Sequence, residues 1–239
     1  MSEESRQLFS KILKIGIIAS TVLVAVLAFQ REREQTLSTM GKALSPKACV
    51  VIDAGHGGED PGKVGINGAL EKDINLEITK RLKTFLEQND IQVVLTREED
   101  VGLHDPNASQ KKVQDMQRRV AKIEEVNPDF VVSIHQNSYH QENITGAQVF
   151  YYDGSSQSQM LAKRVQDSMR HRLNPENHRQ VKANDSYYLL RNTSKPIVIV
   201  ECGFLSNATE ADLLITEQYQ EKVAWSIHMG IMQFINDFR

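Results

Sequence analysis

The segment Cys49–Gly58, CVVIDAGHGG, places a short run of β-branched apolar residues directly before a glycine-rich turn. Runs rich in valine and isoleucine are typical of buried strands, and glycine lets the chain turn sharply after one. We predict a strand here. Four more apolar runs of this kind follow it along the chain: IQVVLT (91–96), FVVSI (130–134), AQVFYY (147–152) and IVIVE (197–201).

The segments between the predicted strands have the periodicity of helices. Apolar residues recur at helical spacing in the stretches 70–86, 113–123, 161–173 and 219–238, a pattern that indicates amphipathic helices. Strands that alternate with helices predict a single α/β domain in which the sheet has helices on both faces.

The composition fits one globular domain with a short additional segment. The chain has 239 residues, of which 40% are hydrophobic and 25% charged, and domains usually span about 100–200 residues. Residues 1–45 carry six Lys/Arg and four Asp/Glu, whereas the rest of the chain carries 22 and 27. Because gripping phosphate backbones needs clustered cations, this acidic domain is not expected to bind nucleic acid.

An uncharged apolar segment lies near the N-terminus. Residues 15–29, IGIIASTVLVAVLAF, approach the length of about 20 residues that spans a membrane. We favour a retained membrane anchor. A cleaved signal segment and a buried soluble helix are the alternatives. The predicted organisation is an anchor or signal segment at 1–30, a polar tether at 31–47 and a catalytic domain at 48–239.

Potentially catalytic side chains cluster where the predicted strands end. His56 follows the first strand between glycines, His135 follows the third, and Glu201 ends the fifth, while Glu71 opens the first helix. In open α/β sheets the chemistry gathers at the carboxyl ends of the strands. We therefore expect these side chains to lie close together.

Two histidines and one carboxylate form a ligand set that is typical of catalytic zinc, in which a fourth position is left for water. Calcium or magnesium would instead favour several oxygen ligands. From spacing alone the carboxylate stays open, because Glu59, Asp60 and Asp73 compete with Glu71 for that place.

Glu201 stands in a very apolar strand, where an unpaired carboxylate is costly. A low dielectric raises the pKa of such an acid, so that it can accept a proton from an attacking water and return it to a leaving group. The chain has no HExxH motif, so a thermolysin-like site is excluded.

The two cysteines allow a rival interpretation. Cys202 paired with His56 or His135 would make a cysteine hydrolase, which we consider less favourable. Structural zinc would favour a CxxC spacing, which Cys49 and Cys202 do not have. Two unbonded core thiols are the simplest interpretation, although the sequence does not exclude a disulfide across adjacent strands.

Five motifs occur in one order along the chain: DAGHGG (53–58), LEKD (70–73), LTR (95–97), SIHQN (133–137) and VECGFLSN (200–207). In these motifs the chain resembles the zinc-dependent N-acetylmuramoyl-L-alanine amidases of the amidase-3 family, over about residues 48–238. With its N-terminal apolar segment it is most similar to the germination-specific, CwlD-type amidases of spore-forming bacteria.

The resemblance implies a mixed sheet flanked by helices, a single zinc ion bound by His56, Glu71 and His135, and Glu201 as the catalytic acid and base. It implies cleavage of the amide between the lactyl group of N-acetylmuramic acid and L-alanine of the peptidoglycan stem peptide. In the spore subtype this step leads to muramic-δ-lactam in the cortex. A vegetative cell-wall autolysin of the same chemistry is the alternative.

Further expectations concern the substrate and partners. We expect Asn137 and Arg191 to contact the glycan or the stem peptide. Some members of the family need a lipoprotein activator. The resemblance implies an extracytoplasmic enzyme, anchored by its N-terminal segment or secreted, with the intermembrane space of the developing forespore as one location.

Overall fold

A computed structural model describes residues 20, 23–34 and 46–238. The chain divides into two compact units, Met1–Pro46 and Lys47–Arg239. In the first unit residues 23–34 are helical and exposed. Within the described ranges there is no helix of the length and apolarity needed to cross a membrane. Much of the predicted anchor or signal segment lies outside the described residues, and its boundaries stay predictions.

The second unit alternates strands and helices as the sequence predicts. In chain order its elements are β1 (Ala48–Ala54), α1 (Glu71–Glu87), β2 (Ile91–Leu95), α2 (Lys111–Val126), β3 (Phe130–Asn137), β4 (Gln148–Tyr151), α3 (Ser156–Leu173), β5 (Lys182–Ala183), α4 (Tyr188–Asn192), β6 (Ile197–Phe204), α5 (Ala208–Leu214) and α6 (Glu217–Phe238).

The strands form one six-stranded sheet in the order β2-β1-β3-β6-β4-β5. Strands β2, β1, β3 and β6 are mutually parallel, and β4 runs antiparallel to β6. The short β5 pairs parallel with β4. The predicted mixed sheet is therefore confirmed, and its central pair, β3 and β6, carries three of the predicted site residues: His135, Asn137 and Glu201.

Helices cover both faces of the sheet. Because side chains alternate along every strand, each face contributes its own apolar side chains to a core. On one face Val132 and Val200 pack with Ile78 of α1, and α3, α5 and α6 belong to the same core. On the other face Val131 packs with residues that include Ile123 of α2 and the leucines of α4. The expected α/β domain with helices on both faces is confirmed.

The largest differences from the sequence-based expectation are three short elements and the ends of two strands, since the other strand ends differ by one residue. The sequence pattern did not predict β5, α4 or α5. Strands β3 and β6 also continue to Asn137 and Phe204, past their predicted ends. Glu201 consequently lies inside β6, where it is opposite His135 in the register of the two strands.

Cys49 and Cys202 are both free thiols. Their strands, β1 and β6, are separated by β3, so they are not adjacent as a cross-strand disulfide would require. Cys202 is a core residue, but Cys49 is partly exposed, so the expectation of two buried thiols is correct for only one of them.

Candidate active site

His56 lies in the loop between β1 and α1 with a left-handed backbone, φ 62°. The guanidinium of Arg119 holds this loop by donating to the His56 carbonyl over 2.7 Å. On the imidazole, Nδ1 is 2.9 Å from an Asp60 carboxylate oxygen. The other nitrogen, Nε2, is 3.3 Å from Oε1 of Glu71. Asp60 thus orients the ring toward Glu71.

Glu71 is the first residue of α1 and is almost fully buried. Its Oε1 accepts a hydrogen bond from the Gln136 backbone N–H at 3.0 Å, and its Oε2 accepts one from the Lys63 backbone N–H at 2.8 Å. Burial works to raise the pKa of Glu71, but hydrogen bonds with His135 and His56 hold that pKa well below its ordinary value. The carboxylate is therefore ionised and fixed in place.

His135 belongs to β3 and contacts the same carboxylate oxygen of Glu71 as His56 does. Its Nδ1 lies 3.0 Å from Oε1 of Glu71. The backbone at Gly55 runs directly against the imidazole, since a Cβ at position 55 would lie 2.3 Å from the His135 ring. Gly62 is equally constrained, because a Cβ there would lie 2.6 Å from Oε2 of Glu71. Glycine at both positions makes room for the two side chains.

The three side chains fit a zinc ion. One donor atom each from His56, Glu71 and His135 lies within 4.8 Å of the other two. Bonds of 2.0–2.1 Å in a tetrahedral site place neighbouring donors about 3.3 Å apart, close to the 3.0 and 3.3 Å separations between the imidazole nitrogens and Glu71. Two nitrogens and one carboxylate oxygen are also the donors that catalytic zinc prefers.

The competing carboxylates have other positions. Asp60 lies behind His56 and contacts the ring nitrogen that faces away from Glu71. Glu59 forms an ion pair with Lys111, and Asp73 is exposed. Of the four carboxylates that spacing alone left open, the structure brings only Glu71 into the group with both histidines.

Glu201 faces the same site from β6. Its carboxyl group is buried, and its Oε2 has no hydrogen-bond partner. Burial, assisted by the negative charge of Glu71, raises the pKa of Glu201 to about 7 despite the opposing effect of the histidines. A carboxyl group with this pKa exchanges a proton readily near neutral pH.

Two adjoining cavities open onto these residues. The inner one is lined by Leu189 and Ile199, and the outer one by Asn137 and other polar residues. Both are also lined by His56, His135, Tyr187 and Glu201. Asn137 therefore lines the outer cavity beside these residues, whereas Arg191 is exposed on α4 and lines neither cavity. Their roles as substrate contacts stay predictions.

Sequence reasoning missed a buried ion pair beneath the site. Asp53 accepts hydrogen bonds from Thr96 at 2.8 Å, Ser133 at 2.6 Å and the guanidinium of Arg119 at 2.6 Å. Burial would raise the pKa of Asp53, but the Arg119 charge and these hydrogen bonds hold it at about 2. The sequence did contain a signal for this ion pair, because Asp53 is a charged residue in an otherwise apolar strand directly before the His56 loop.

Cys202 points away from the site. Successive side chains in a strand face opposite sides of the sheet, so Cys202 enters the hydrophobic core while its neighbour Glu201 faces the cavities. Burial also raises the pKa of the Cys202 thiol, whereas a nucleophilic cysteine needs a lowered one. The structure therefore argues against the cysteine hydrolase.

A family model described as N-acetylmuramoyl-L-alanine amidase matches residues 50–233 of this chain, which include all four site residues. The chain belongs to this amidase family. The similarity extends over most of the chain, and it assigns the enzyme to the peptidoglycan amidases.

Individual relatives agree with this assignment. The chain is 34% identical over 224 residues to the germination-specific N-acetylmuramoyl-L-alanine amidase of Bacillus subtilis, covering 92% of this chain and 93% of the relative. The CwlD amidase of Clostridioides difficile, solved in complex with the GerS lipoprotein, is 39% identical with a TM-score of 0.78, over 80% of this chain and 99% of that one. The amidase AmiC2 of Nostoc punctiforme is 34% identical with a TM-score of 0.70, over 80% and 99% of the two chains.

Proposed function

We propose that this amidase hydrolyses the amide between the lactyl group of N-acetylmuramic acid and L-alanine of the stem peptide. It does so with one zinc ion held by His56, Glu71 and His135. Glu201 serves as the catalytic acid and base. The observation that supports the proposal most directly is the convergence of two imidazole nitrogens and a carboxylate oxygen beside a buried carboxyl group without a hydrogen-bond partner.

The arrangement suggests how each residue contributes. When bound, zinc would polarise the lactyl carbonyl and lower the pKa of water at the site. Glu201 accepts a proton from the attacking water and gives it to the alanine nitrogen as the carbon–nitrogen bond breaks. Asp60 holds His56 in the tautomer that leaves Nε2 free to act as a ligand, a common arrangement behind metal-binding histidines.

The proposed setting is the spore cortex, where the reaction would begin the formation of muramic-δ-lactam. Similarity to the germination-specific amidase of Bacillus subtilis supports this setting. The uncharged segment at residues 15–29 supports an extracytoplasmic enzyme that is anchored or exported. A lipoprotein activator is proposed because the similar CwlD amidase was solved in complex with one.

The reaction is tested with the full chain and purified peptidoglycan. The amidase should release peptides with a free L-alanine amino group, a chelator should stop the release, and added zinc should restore it. Thiol alkylation should have no effect. Release that survives chelation but is abolished by alkylation would contradict the zinc mechanism and favour the cysteine hydrolase.

The spore role needs a separate measurement, because a vegetative autolysin would release the same amine. In a strain that lacks the gene, the muramic-δ-lactam content of cortex muropeptides should fall sharply. An unchanged lactam content would refute the sporulation role while leaving the reaction intact.

A further inference from the structure

Tyr187 lies beside the proposed acid and base, and the sequence motifs gave it no role. It directly precedes α4 as the N-cap residue of that helix. Its side chain lines both the inner and the outer cavity, as Glu201 does. Any substrate that reaches the zinc ligands through these cavities therefore passes Tyr187.

The position of the tyrosine ring is well defined. The ring packs edge-on against Phe150 of β4, with the ring centres 5.5 Å apart. The backbone N–H of Tyr187 donates to the Asn184 side chain at 2.9 Å, and α4 is held to the sheet by the buried Leu189 and Leu190. Because the ring and the backbone are both held, the hydroxyl is aimed in a fixed direction.

The Tyr187 hydroxyl and the Glu201 carboxyl group face the same two cavities. Burial, together with the negative charges of Glu201 and Glu71, raises the pKa of Tyr187 to about 12. The hydroxyl therefore remains protonated at neutral pH and acts as a donor. Oε2 of Glu201 is buried and has no hydrogen-bond partner, so it is available to accept a hydrogen bond from this hydroxyl.

We propose that Tyr187 is a positioning residue for this amidase: its hydroxyl donates a hydrogen bond to Glu201 and orients that carboxylate between the attacking water and the departing nitrogen. The inference rests on the proposed role of Glu201. It also assigns a function to the short helix α4, which holds Tyr187 in the cavities that Glu201 of β6 lines.

The test is a double-mutant cycle with the full chain loaded with zinc. Y187F removes the hydroxyl and keeps the ring that packs on Phe150. We expect a fall in kcat of about 10- to 100-fold, the range for a hydrogen bond to a charged group, with KM and zinc content unchanged. Y152F is the matched control, because Tyr152 is exposed and lines neither cavity, and it should retain wild-type turnover.

The decisive comparison places Y187F in the E201Q background, measured under single-turnover conditions with enzyme in excess. If Tyr187 acts through Glu201, the second substitution should cause little further loss. Equal losses in both backgrounds, an effect confined to KM, or a Y187F chain that loses its fold or its zinc would overturn the inference.

The two proposals fail in different ways. Wild-type turnover in E201Q alone would refute the acid and base role of Glu201, and with it the proposed function. An inactive E201Q together with a fully active Y187F would refute only the role of Tyr187.

Discussion

Two glycines decide whether the ligand side chains can meet. His135 reaches Glu71 across the backbone of Gly55, and Gly62 passes close to both Glu71 and His56. Glycines around His56 were visible in the sequence and marked the loop as a site. Which glycine faces which side chain was not visible, because that depends on how β3 and α1 pack against the loop.

Gly55→Ala should impair metal binding more than it impairs folding. The new Cβ would lie 2.3 Å from the His135 ring, so the imidazole must move and leave the ligand set. We expect a loss of at least tenfold in zinc affinity and a comparable loss in amide hydrolysis, measured by metal titration and amine release.

Gly68→Ala is the control for this substitution. Gly68 has a positive φ of 83°, but a Cβ there meets nothing within 4 Å. The variant should lose about 1 kcal/mol of stability through backbone strain and retain its zinc affinity. Equal zinc affinities for the two variants would contradict the steric argument at Gly55.

At the scale of elements, α2 holds the loop that carries His56. Arg119 of this helix donates to Asp53 and to the carbonyls of Ala54 and His56, and its Nε pairs with Asp115. One guanidinium thus connects the end of β1, the His56 loop and α2. The sequence pattern predicted α2 as an amphipathic helix from the spacing of its apolar residues. It did not predict this contact, because that spacing does not show that a charged residue such as Arg119 is buried.

Arg119→Lys should loosen the His56 loop while it keeps the positive charge. A lysine ammonium cannot reproduce the planar fork of donors that spans four acceptors. We expect lower stability, by about 1–3 kcal/mol for the buried acceptors left without donors, and weaker zinc binding. Arg118→Lys is the matched control, since Arg118 pairs with Asp105 at the surface. Equal zinc affinities in the two variants would contradict the role of Arg119 in holding the His56 loop.

Long, strongly patterned elements were predictable, and short ones were not. The apolar runs that became β1 and β6 and the periodic stretches that became α1 and α6 are long enough for their pattern to stand out. The two-residue β5 and the five-residue α4 have no such pattern, because tertiary packing alone defines them. Tyr187 was missed for this reason, since its position follows from that of α4.

At the scale of the whole molecule, the four site residues come from three segments far apart in sequence. The parallel pairing of β3 with β6 sets His135 opposite Glu201, and the β1–α1 connection supplies His56 and Glu71. Residue types and strand ends predicted which histidines to consider. The choice of Glu71 over three other carboxylates came from family resemblance, because spacing cannot show which carboxylate enters the core.

Removal of residues 1–46 should leave a folded enzyme. The structure separates Met1–Pro46 from Lys47–Arg239 as compact units, and the sheet with both its cores belongs to the second. We expect the truncated chain to unfold cooperatively, bind zinc and release amines from soluble peptidoglycan fragments as the full chain does. An aggregated or metal-free product would contradict the proposed domain boundary.

Asp53 should contribute to the acid sensitivity of the fold. Its folded pKa of about 2 lies below the value of about 3.9 in an unfolded chain. The folded state therefore binds fewer protons, so this contribution, about 2–3 kcal/mol, is complete above about pH 5 and is lost as the pH falls toward 2.

Asp53→Asn isolates that contribution. The variant should be less stable at pH 7, because Arg119 loses a buried partner, and its free energy of unfolding should fall less between pH 5 and pH 3 than that of the wild type. Urea denaturation at several pH values measures both effects. Parallel pH dependences for the two proteins would show that Asp53 is not the group responsible.

The separation of metal binding from proton transfer is the central feature of the site, and Glu201→Gln tests it most directly. Zinc content and amine release from peptidoglycan are measured on the same sample of the full chain. The variant should retain one zinc ion per chain and lose amide hydrolysis by several orders of magnitude. Turnover near that of the wild type, or loss of the zinc ion together with activity, would contradict the assignment of Glu201 as the acid and base beside the ligands His56, Glu71 and His135.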